Sequence, residues 1–357
     1  MDFPYFNSRE LSVGGLYDLG DPVERFKYFH SKLGSRIDEV KEFLEHNSFV
    51  GFMLAKKLGG KGTYAKMLQE ILGEDRLSHV SVGDIVREVH AELESENGVV
   101  HFKENLLPYY RGMLSIDEAV GAIFNRSQDK VSVPTEMVLA LLKMKIDEIG
   151  KKALLIDGMP RTNDQISYSL FFRDLINHRT DPDFFLLMDV DDAIIELRLT
   201  GRVICPVCHT SRNIVTNPTT IVRYDARKSE YYCVCDNKGC PEYKKARYVG
   251  KEGDSKGIET ITDRLKEDQK LIQMSFGLHG IPKVLIGSSL PVDIAHDYLE
   301  DYEIQPRYRF SGKGDDVSYT LEPWIFTDEK GRQCYTYRAA TFVLNIFVQL
   351  HRILIGE

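Results

Sequence analysis

The sequence predicts an α/β fold of three layers, a parallel sheet held between two layers of helices. Three observations carry this. Residues 49–54, 153–156, 184–188 and 283–286 are short runs with no polar face, as buried strands are. Helix-patterned segments fall among them, at 134–149 before one strand and 192–200 after another. A glycine-rich turn joins the first strand to a helix with Ala65, Leu68, Ile71 and Leu72 on one face, which stops at Gly73. Strands that alternate with helices and are apolar on both sides imply a parallel sheet covered on both sides.

The 357 residues correspond to two or three units at roughly 100–200 residues each. With 43% hydrophobic and 28% charged residues, the chain can bury a substantial core. A net charge of −8 argues against a nucleic-acid partner, since phosphate backbones reward a basic face. Met1-Asp2-Phe3-Pro4 lacks the basic start and apolar run of a secretory signal, so a cytoplasmic location is expected. No stretch reaches the roughly 18 consecutive apolar residues of a spanning helix. The nearest, 341–355, carries Asn345, Gln349, His351 and Arg352, so an amphipathic helix and no membrane partner are expected.

Along the chain, 22–46 reads as one helix, with Phe26, Phe29, Leu33, Ile37, Val40 and Leu44 at the helical period. Residues 1–48 thus form an N-terminal helical extension and 49–303 the core. Between Arg202 and Gly257 the texture turns polar, with cysteines, tyrosines and basic residues, as in an inserted subdomain. In the C-terminal extension, 304–357, the segments 317–322, 324–327 and 333–338 read as short antiparallel strands with Lys330-Gly331 as a turn, before a final helix from about residue 340. The extensions either pack on the core or form a subunit interface, leaving monomer and homo-oligomer both open. A sharper alternative makes Trp324, Tyr335, Tyr337 and the final helix a separate partner or regulatory module.

Gly59-Gly60-Lys61-Gly62-Thr63, between a strand and a helix, has the context of a phosphate-binding loop and so implies a P-loop NTP-binding fold. Glycines let backbone N–H groups converge on phosphate oxygens, and the helix N-terminus adds positive potential. Lys61 would reach the β- and γ-phosphates, and Thr63 would serve Mg²⁺. Ala55 stands where G-x-x-x-x-G-K-[ST] has its first glycine, and Leu58 is a bulky residue in a loop that restricts backbone angles.

Residues 155–165, Leu-Ile-Asp-Gly-Met-Pro-Arg-Thr-Asn-Asp-Gln, are similar to the adenylate kinase signature D-G-[FM]-P-R-T-x-x-Q. Further landmarks follow in that family's order. Ser81-Val82-Gly83-Asp84 with Arg87 resembles S-T-G-D…R, Arg198 with Gly201-Arg202 resembles R-x-x-G-R, and Thr260 with Arg264 resembles T-x-x-x-R-L. The resemblance covers roughly residues 49–300. It implies reversible phosphoryl transfer from ATP, carried with Mg²⁺, to AMP, giving two ADP. It also implies a monophosphate-binding part at about 82–134 and a lid at about 202–257. Lys61, Arg161, Arg202, Arg247 and Arg264 would supply the cations, and Asp157 would orient Mg²⁺. Gly59, Gly60, Lys61, Gly62, Thr63, Arg198 and Arg202 would bind ATP, Arg198 by stacking on adenine. Val82, Gly83, Arg87, Gly158, Arg161 and Gln165 would bind AMP, Gln165 reading its base. Val82 replaces the family's threonine, which leaves UMP or CMP open as acceptors. Past Arg247 the family's two aspartates are replaced by Glu252 and Asp254.

Five of the six cysteines lie between Cys205 and Cys240, a clustering that argues for metal rather than disulfides. Cys205 and Cys208 form one knuckle; Cys233, Cys235 and Cys240 offer three ligands for two places. Zinc-bearing members of the resembled family read C-D-x-C-G in the second knuckle, followed by an arginine. That resemblance implies structural Zn²⁺ on Cys205, Cys208, Cys235 and Cys240, with Cys233 a contender because Cys235 and Cys240 are more widely spaced than usual. Two other functions compete: a nucleotide-binding regulator with a disabled loop, and single-strand binding through Tyr231, Tyr232, Tyr243 and nearby cations.

Overall fold

After a short irregular segment the chain forms two helices where the periodicity predicts one. The computed structural model describes residues 3–11, 14–124, 133–170, 182–250, 257–313 and 316–356. In it the 22–46 pattern divides into α1 (Pro22–Leu33) and α2 (Arg36–His46). Gly34 lies between them at φ 56°, ψ −132°, a conformation no helix interior contains and that glycine reaches without strain. Asp21 caps α1 by accepting from the Val23 and Glu24 amides.

The alternating part runs β1 (Val50–Ala55), α3 (Lys61–Leu72), β2 (Leu77–Ser81), α4 (Val82–Leu93), α5 (Gly98–Leu106), α6 (Ile116–Phe124) and α7 (Thr135–Ile149). It continues with β3 (Ala153–Asp157), α8 (Asn163–Leu170), β4 (Asp183–Asp189) and α9 (Asp192–Thr200). A cysteine subdomain follows, with β5 (Arg202–Ile204), β6 (Ser211–Asn213), β7 (Ile221–Asp225), β8 (Glu230–Val234) and β9 (Val249–Gly250). Then α10 (Thr262–Phe276), β10 (Lys283–Gly287), β11 (Leu290–Pro291) and α11 (Val292–Tyr298) return the chain to the core.

Among the described residues, five strands pair in parallel in the order β10-β4-β1-β3-β2. All six residues of β1 are buried, as expected of a central strand with helices on both faces. Alternation divides the core in two. Met53, Leu155, Phe184 and Leu186 face one helical layer, and Phe52, Leu54, Ile156, Phe185 and Leu187 face the other. The edge strand β2 escapes sequence reading because Ser78 and His79 interrupt any apolar run.

The C-terminal extension forms β12 (Pro306–Ser311), β13 (Ser318–Pro323), β14 (Ile325–Thr327), β15 (Gln333–Tyr335) and α12 (Ala339–Ile355). The antiparallel pairing expected here is present: β12 with β13, and β15 with both β14 and β11. The predicted 333–338 strand ends early at Tyr335, and β12, whose Arg307, Arg309 and Ser311 hid it, is additional. The extension is not a separate module. Trp324, Tyr335, Tyr337 and the α12 residues Leu344 and Phe347 share one hydrophobic cluster with α1, α3 and the sheet.

Gln349 of α12 completes this union. Its side chain accepts from the Leu285 amide at 2.9 Å and donates to the Leu285 carbonyl at 3.0 Å. One amide side chain thus satisfies both backbone groups of Leu285 on the edge strand β10, which would otherwise be open to another chain. His351 meets Glu39 of α2 at 2.6 Å, and Glu303, fully buried, accepts from Tyr28 at 2.7 Å and bonds Ser8. Among the described residues no helix is long and apolar enough to cross a membrane.

Because α12 fills the core, Phe347→Ala is expected to cost about 3–5 kcal/mol, read as a lower urea midpoint. Deleting residues 304–357 should yield insoluble chain; a soluble, cooperatively folding truncation would contradict this packing.

Candidate functional site

The glycine-rich turn leaves β1 and enters α3 with a backbone few residues tolerate. Gly60, the N-cap of α3, lies at φ 99°, and a Cβ there would meet the Tyr64 ring at 2.6 Å. Leu58 adopts φ 67°, a left-handed conformation that costs an L-residue about 1–2 kcal/mol. The strain is held by tertiary contacts. Arg198 donates to the Leu58 carbonyl at 2.9 Å and to the Tyr64 hydroxyl at 3.0 Å. Asp268 of α10 accepts from the Lys57 amide at 2.8 Å and from Arg264 at 2.9 Å. Lys56 is buried and bonds Asp192 at 2.7 Å, with Glu329 of the β14–β15 turn at 3.6 Å.

Lys61 crosses the loop, donating to the Ala55 carbonyl at 3.0 Å with its Nζ 3.6 Å from Asp157 at the end of β3. These two residues, with Gly59, Gly60, Gly62 and Thr63, line one cleft of about 870 Å³. That is at the large end of small-molecule sites, roughly 300–1,000 Å³. Gly158, Arg161, Arg198, Arg202 and Arg264 line the same cleft.

On the β3 side, Gly158 lies at φ 90°, where a Cβ would crowd Arg161 Nη2 at 3.0 Å and Val82 Cβ at 3.3 Å. A Cβ on Gly83 would stand 3.6 Å from both Arg161 Nη2 and Arg87 Nη1, so the two guanidiniums flank this glycine. Val82 is buried, and Arg87 is exposed and bonded to Asp84.

Five predicted residues do not line the cleft: Val82, Gly83 and Arg87, which adjoin Gly158 and Arg161, and Gln165 and Arg247. Gln165, predicted to read a base, is buried, accepts from the Arg161 amide at 2.8 Å and donates to Thr135 at 3.2 Å. Arg247 lies within the cysteine subdomain, paired with Asp225 and Glu230 at 2.6 Å each and 4.0 Å over the Tyr232 ring. Arg198, predicted to stack on a base, lines the cleft with its guanidinium committed to the loop. Glu252 and Asp254 lie outside the described residues.

Sequence reasoning missed the groups that brace the site. Asp268 is signalled only by its position four residues after Arg264 on a helix. His79 of β2 also lines the cleft, and burial holds its imidazole below the ordinary histidine range, with Asp157 and Asp84 pulling the other way. Gln305 and Tyr337 reach the cleft from the C-terminal extension, which no core motif announces.

The cysteine subdomain gathers a second site. The Sγ atoms of Cys205, Cys208, Cys235 and Cys240 all lie within 4.8 Å of one another, with Cys205–Cys240 at 4.0 Å and Cys208–Cys235 at 3.7 Å. Thiolates ~2.3 Å from a tetrahedral ion stand about 3.8 Å apart, so the set fits one metal ion with no open position. Cys233 is buried on β8 and outside this group.

The AAA domain family model matches residues 59–203. The adenylate kinase of Thermotoga petrophila is 31% identical over 160 residues, 44% of this chain and 60% of that protein. That of Clostridium novyi is 32% identical over 164 residues, 45% of this chain and 62% of that protein. The chain thus spans about three-fifths of these curated relatives. The adenylate kinase of Staphylococcus aureus strain Mu50 is 28% identical over 245 residues, 68% of this chain and 93% of that protein.

Asp268→Ala removes the acceptor of the Lys57 amide and the partner of Arg264. It is expected to lower stability by about 1–3 kcal/mol in urea titration. A loss below a few tenths would mean that the loop does not depend on α10.

Proposed function

We propose that the chain is a P-loop kinase of the adenylate kinase type, which moves the γ-phosphoryl group of MgATP to AMP, reversibly, giving two ADP. One observation carries the reading. Lys61 and Asp157 meet at 3.6 Å at the mouth of a glycine loop on a helix N-terminus, in a cleft also lined by Arg161, Arg198, Arg202 and Arg264.

Phosphoryl transfer needs in-line positioning and neutralisation of charge, with little covalent work by the protein. An oxygen of the acceptor phosphate bonds the γ-phosphorus as its bond to the β-bridging oxygen breaks, and ADP leaves. Lys61 and the amides of residues 59–63 hold the donor phosphates, and Thr63 and Asp157 would hold the Mg²⁺ that arrives with ATP, which would neutralise phosphate charge. Arg161 and Arg87, flanking Gly83, take the acceptor phosphate, and Arg202 and Arg264 share the charge that develops between the two nucleotides. In this reading residues 82–134 enclose the acceptor. Residues 202–257 form a lid that excludes water, and Arg247 joins the site only if the lid rearranges. UMP or CMP as acceptor is a second reading, supported by Val82 and by the inward-turned Gln165.

The metal we assign to the four-cysteine site is Zn²⁺, and its role is structural. It holds the two knuckles together in a subdomain whose buried apolar cluster is little more than the cysteines and Tyr248.

ADP formation from MgATP with AMP, UMP, CMP or GMP tests the reaction, AMP being the expected acceptor. Lys61→Ala should lower kcat by about 10²–10³, by analogy with loss of one preorganised donor; unchanged turnover would refute its role. Metal analysis should find one Zn²⁺ per chain, lost in Cys235→Ser and kept in Cys233→Ser. The reverse pattern would reassign the ligands.

A further inference from the structure

The sheet order gives the cleft two ends. Lys61 follows the central strand β1; Asp157, Gly158 and Arg161 follow β3 on one side, and Arg198 ends the helix after β4 on the other. With the acceptor on the β3 side, a triphosphate seated on the loop carries its base toward β4. That end is walled by the C-terminal extension, for Gln305, Tyr337 and Ala339 line the cleft together with Arg198 and Asn213. The Tyr64 ring, stacked on Phe342 at 5.1 Å, ties this wall to the loop, and Phe342 meets Tyr337 edge-on at 5.3 Å.

The polar groups at this end are largely committed. Asn213 donates to the Leu197 and Arg198 carbonyls and accepts from the Val215 and Thr216 amides. Arg198 is spent on Leu58 and Tyr64. Gln305 differs. Its backbone is fixed at both ends, the amide donating to Thr336 at 2.8 Å and the carbonyl accepting from Trp324 at 3.1 Å. Its side-chain nitrogen donates to the Thr216 carbonyl at 3.2 Å and the Pro306 carbonyl at 3.0 Å. A primary amide has two N–H donors, so both are used. Two carbonyls on that side also fix the orientation, because an oxygen turned there would be repelled. Oε1 then has no partner among the described residues, on a half-buried side chain that lines the cleft.

We infer that Gln305 is the specificity-determining residue for the base of the phosphoryl donor, an acceptor-only group that selects a purine with an amino group at C6 over one with an oxo group there. The inference rests on the phosphoryl-transfer reading above. The adenine C6 amine donates to Oε1. The C6 oxygen of hypoxanthine presents a lone pair to another lone pair, which leaves both unsatisfied in a partly dry pocket.

The test is initial-rate kinetics of the full chain with AMP as acceptor and MgATP or Mg-inosine triphosphate as donor. The wild type should prefer ATP about tenfold in kcat/KM, the worth of one hydrogen bond. Gln305→Met, of similar shape but lacking the acceptor, should lose that preference through a raised KM for ATP. Equal use of the two donors by the wild type overturns the inference without any variant, as does a preference unchanged in Gln305→Met. If the wild type transfers from neither donor, the reaction reading fails, and calorimetry of ATP against inosine triphosphate decides the subsite alone: about tenfold tighter ATP upholds it, equal affinities overturn it.

Discussion

The cleft depends on a loop that cannot hold its own shape. A phosphate-binding turn must keep successive amides pointed at one place, and glycine normally makes that backbone cheap. Here Leu58 occupies a left-handed position and Ala55 stands at the first glycine of the motif, so the conformation is imposed from outside. Arg198 from α9 grips the Leu58 carbonyl, Asp268 from α10 grips the Lys57 amide, and Asp192 with Glu329 neutralises the buried Lys56. Strain of this kind persists only where surrounding structure over-determines it. The loop is therefore a product of the whole fold.

The same logic explains the terminal extensions. The edge strand β10 and the outer face of α3 need cover, and α12, α1 and α2 provide it. The joint between the N-terminal extension and the end of the core is polar. Glu303 and Lys32 are both buried, 3.5 Å apart, and Tyr28 and Ser8 complete the carboxylate's hydrogen bonds. A buried ion pair adds little net stability when whole but costs several kcal/mol when one member is removed, so it enforces one placement of the N-terminal extension on the core.

Much of the architecture is legible in the residues. Apolar runs mark four of the five central strands, and the glycine loop, the Asp157–Arg161 turn and the cysteine knuckles are local patterns that survive in three dimensions. What is hidden has physical causes. β2 is an edge strand whose exposed side permits Ser78 and His79, and β12 alternates arginines with aromatics. Cys233 and Cys235 look equivalent by spacing, yet Cys233 is held within the β7–β8 ladder. The chain turns at Cys235, whose carbonyl accepts from the Lys244 amide. Arg198, Arg247 and Gln165, expected as ligand contacts, are bonded within the protein here, because sequence reveals a side chain's type and not its partners.

Those commitments bear on how the cysteine subdomain can move. It is tied to the C-terminal extension by the Tyr308 amide donating to the Val215 carbonyl at 2.8 Å, by the Tyr231 hydroxyl donating to the Gly312 carbonyl at 3.1 Å, and by the Tyr231 ring 5.4 Å from Phe310. Gln305 adds a bond to the Thr216 carbonyl. Any opening that carries β7 and β8 away from the core must break these contacts or take the β12–β13 hairpin along. The second course leaves those contacts whole, and β13, exposed along its whole length, has no cover to break. A subdomain and hairpin that travel together would widen the cleft at the Gln305 end while the loop, gripped by α9 and α10, stays in place. On the proposed function, entry of the donor's base and the seating of its phosphates would then be separable events, one governed by the extension and the other by the core.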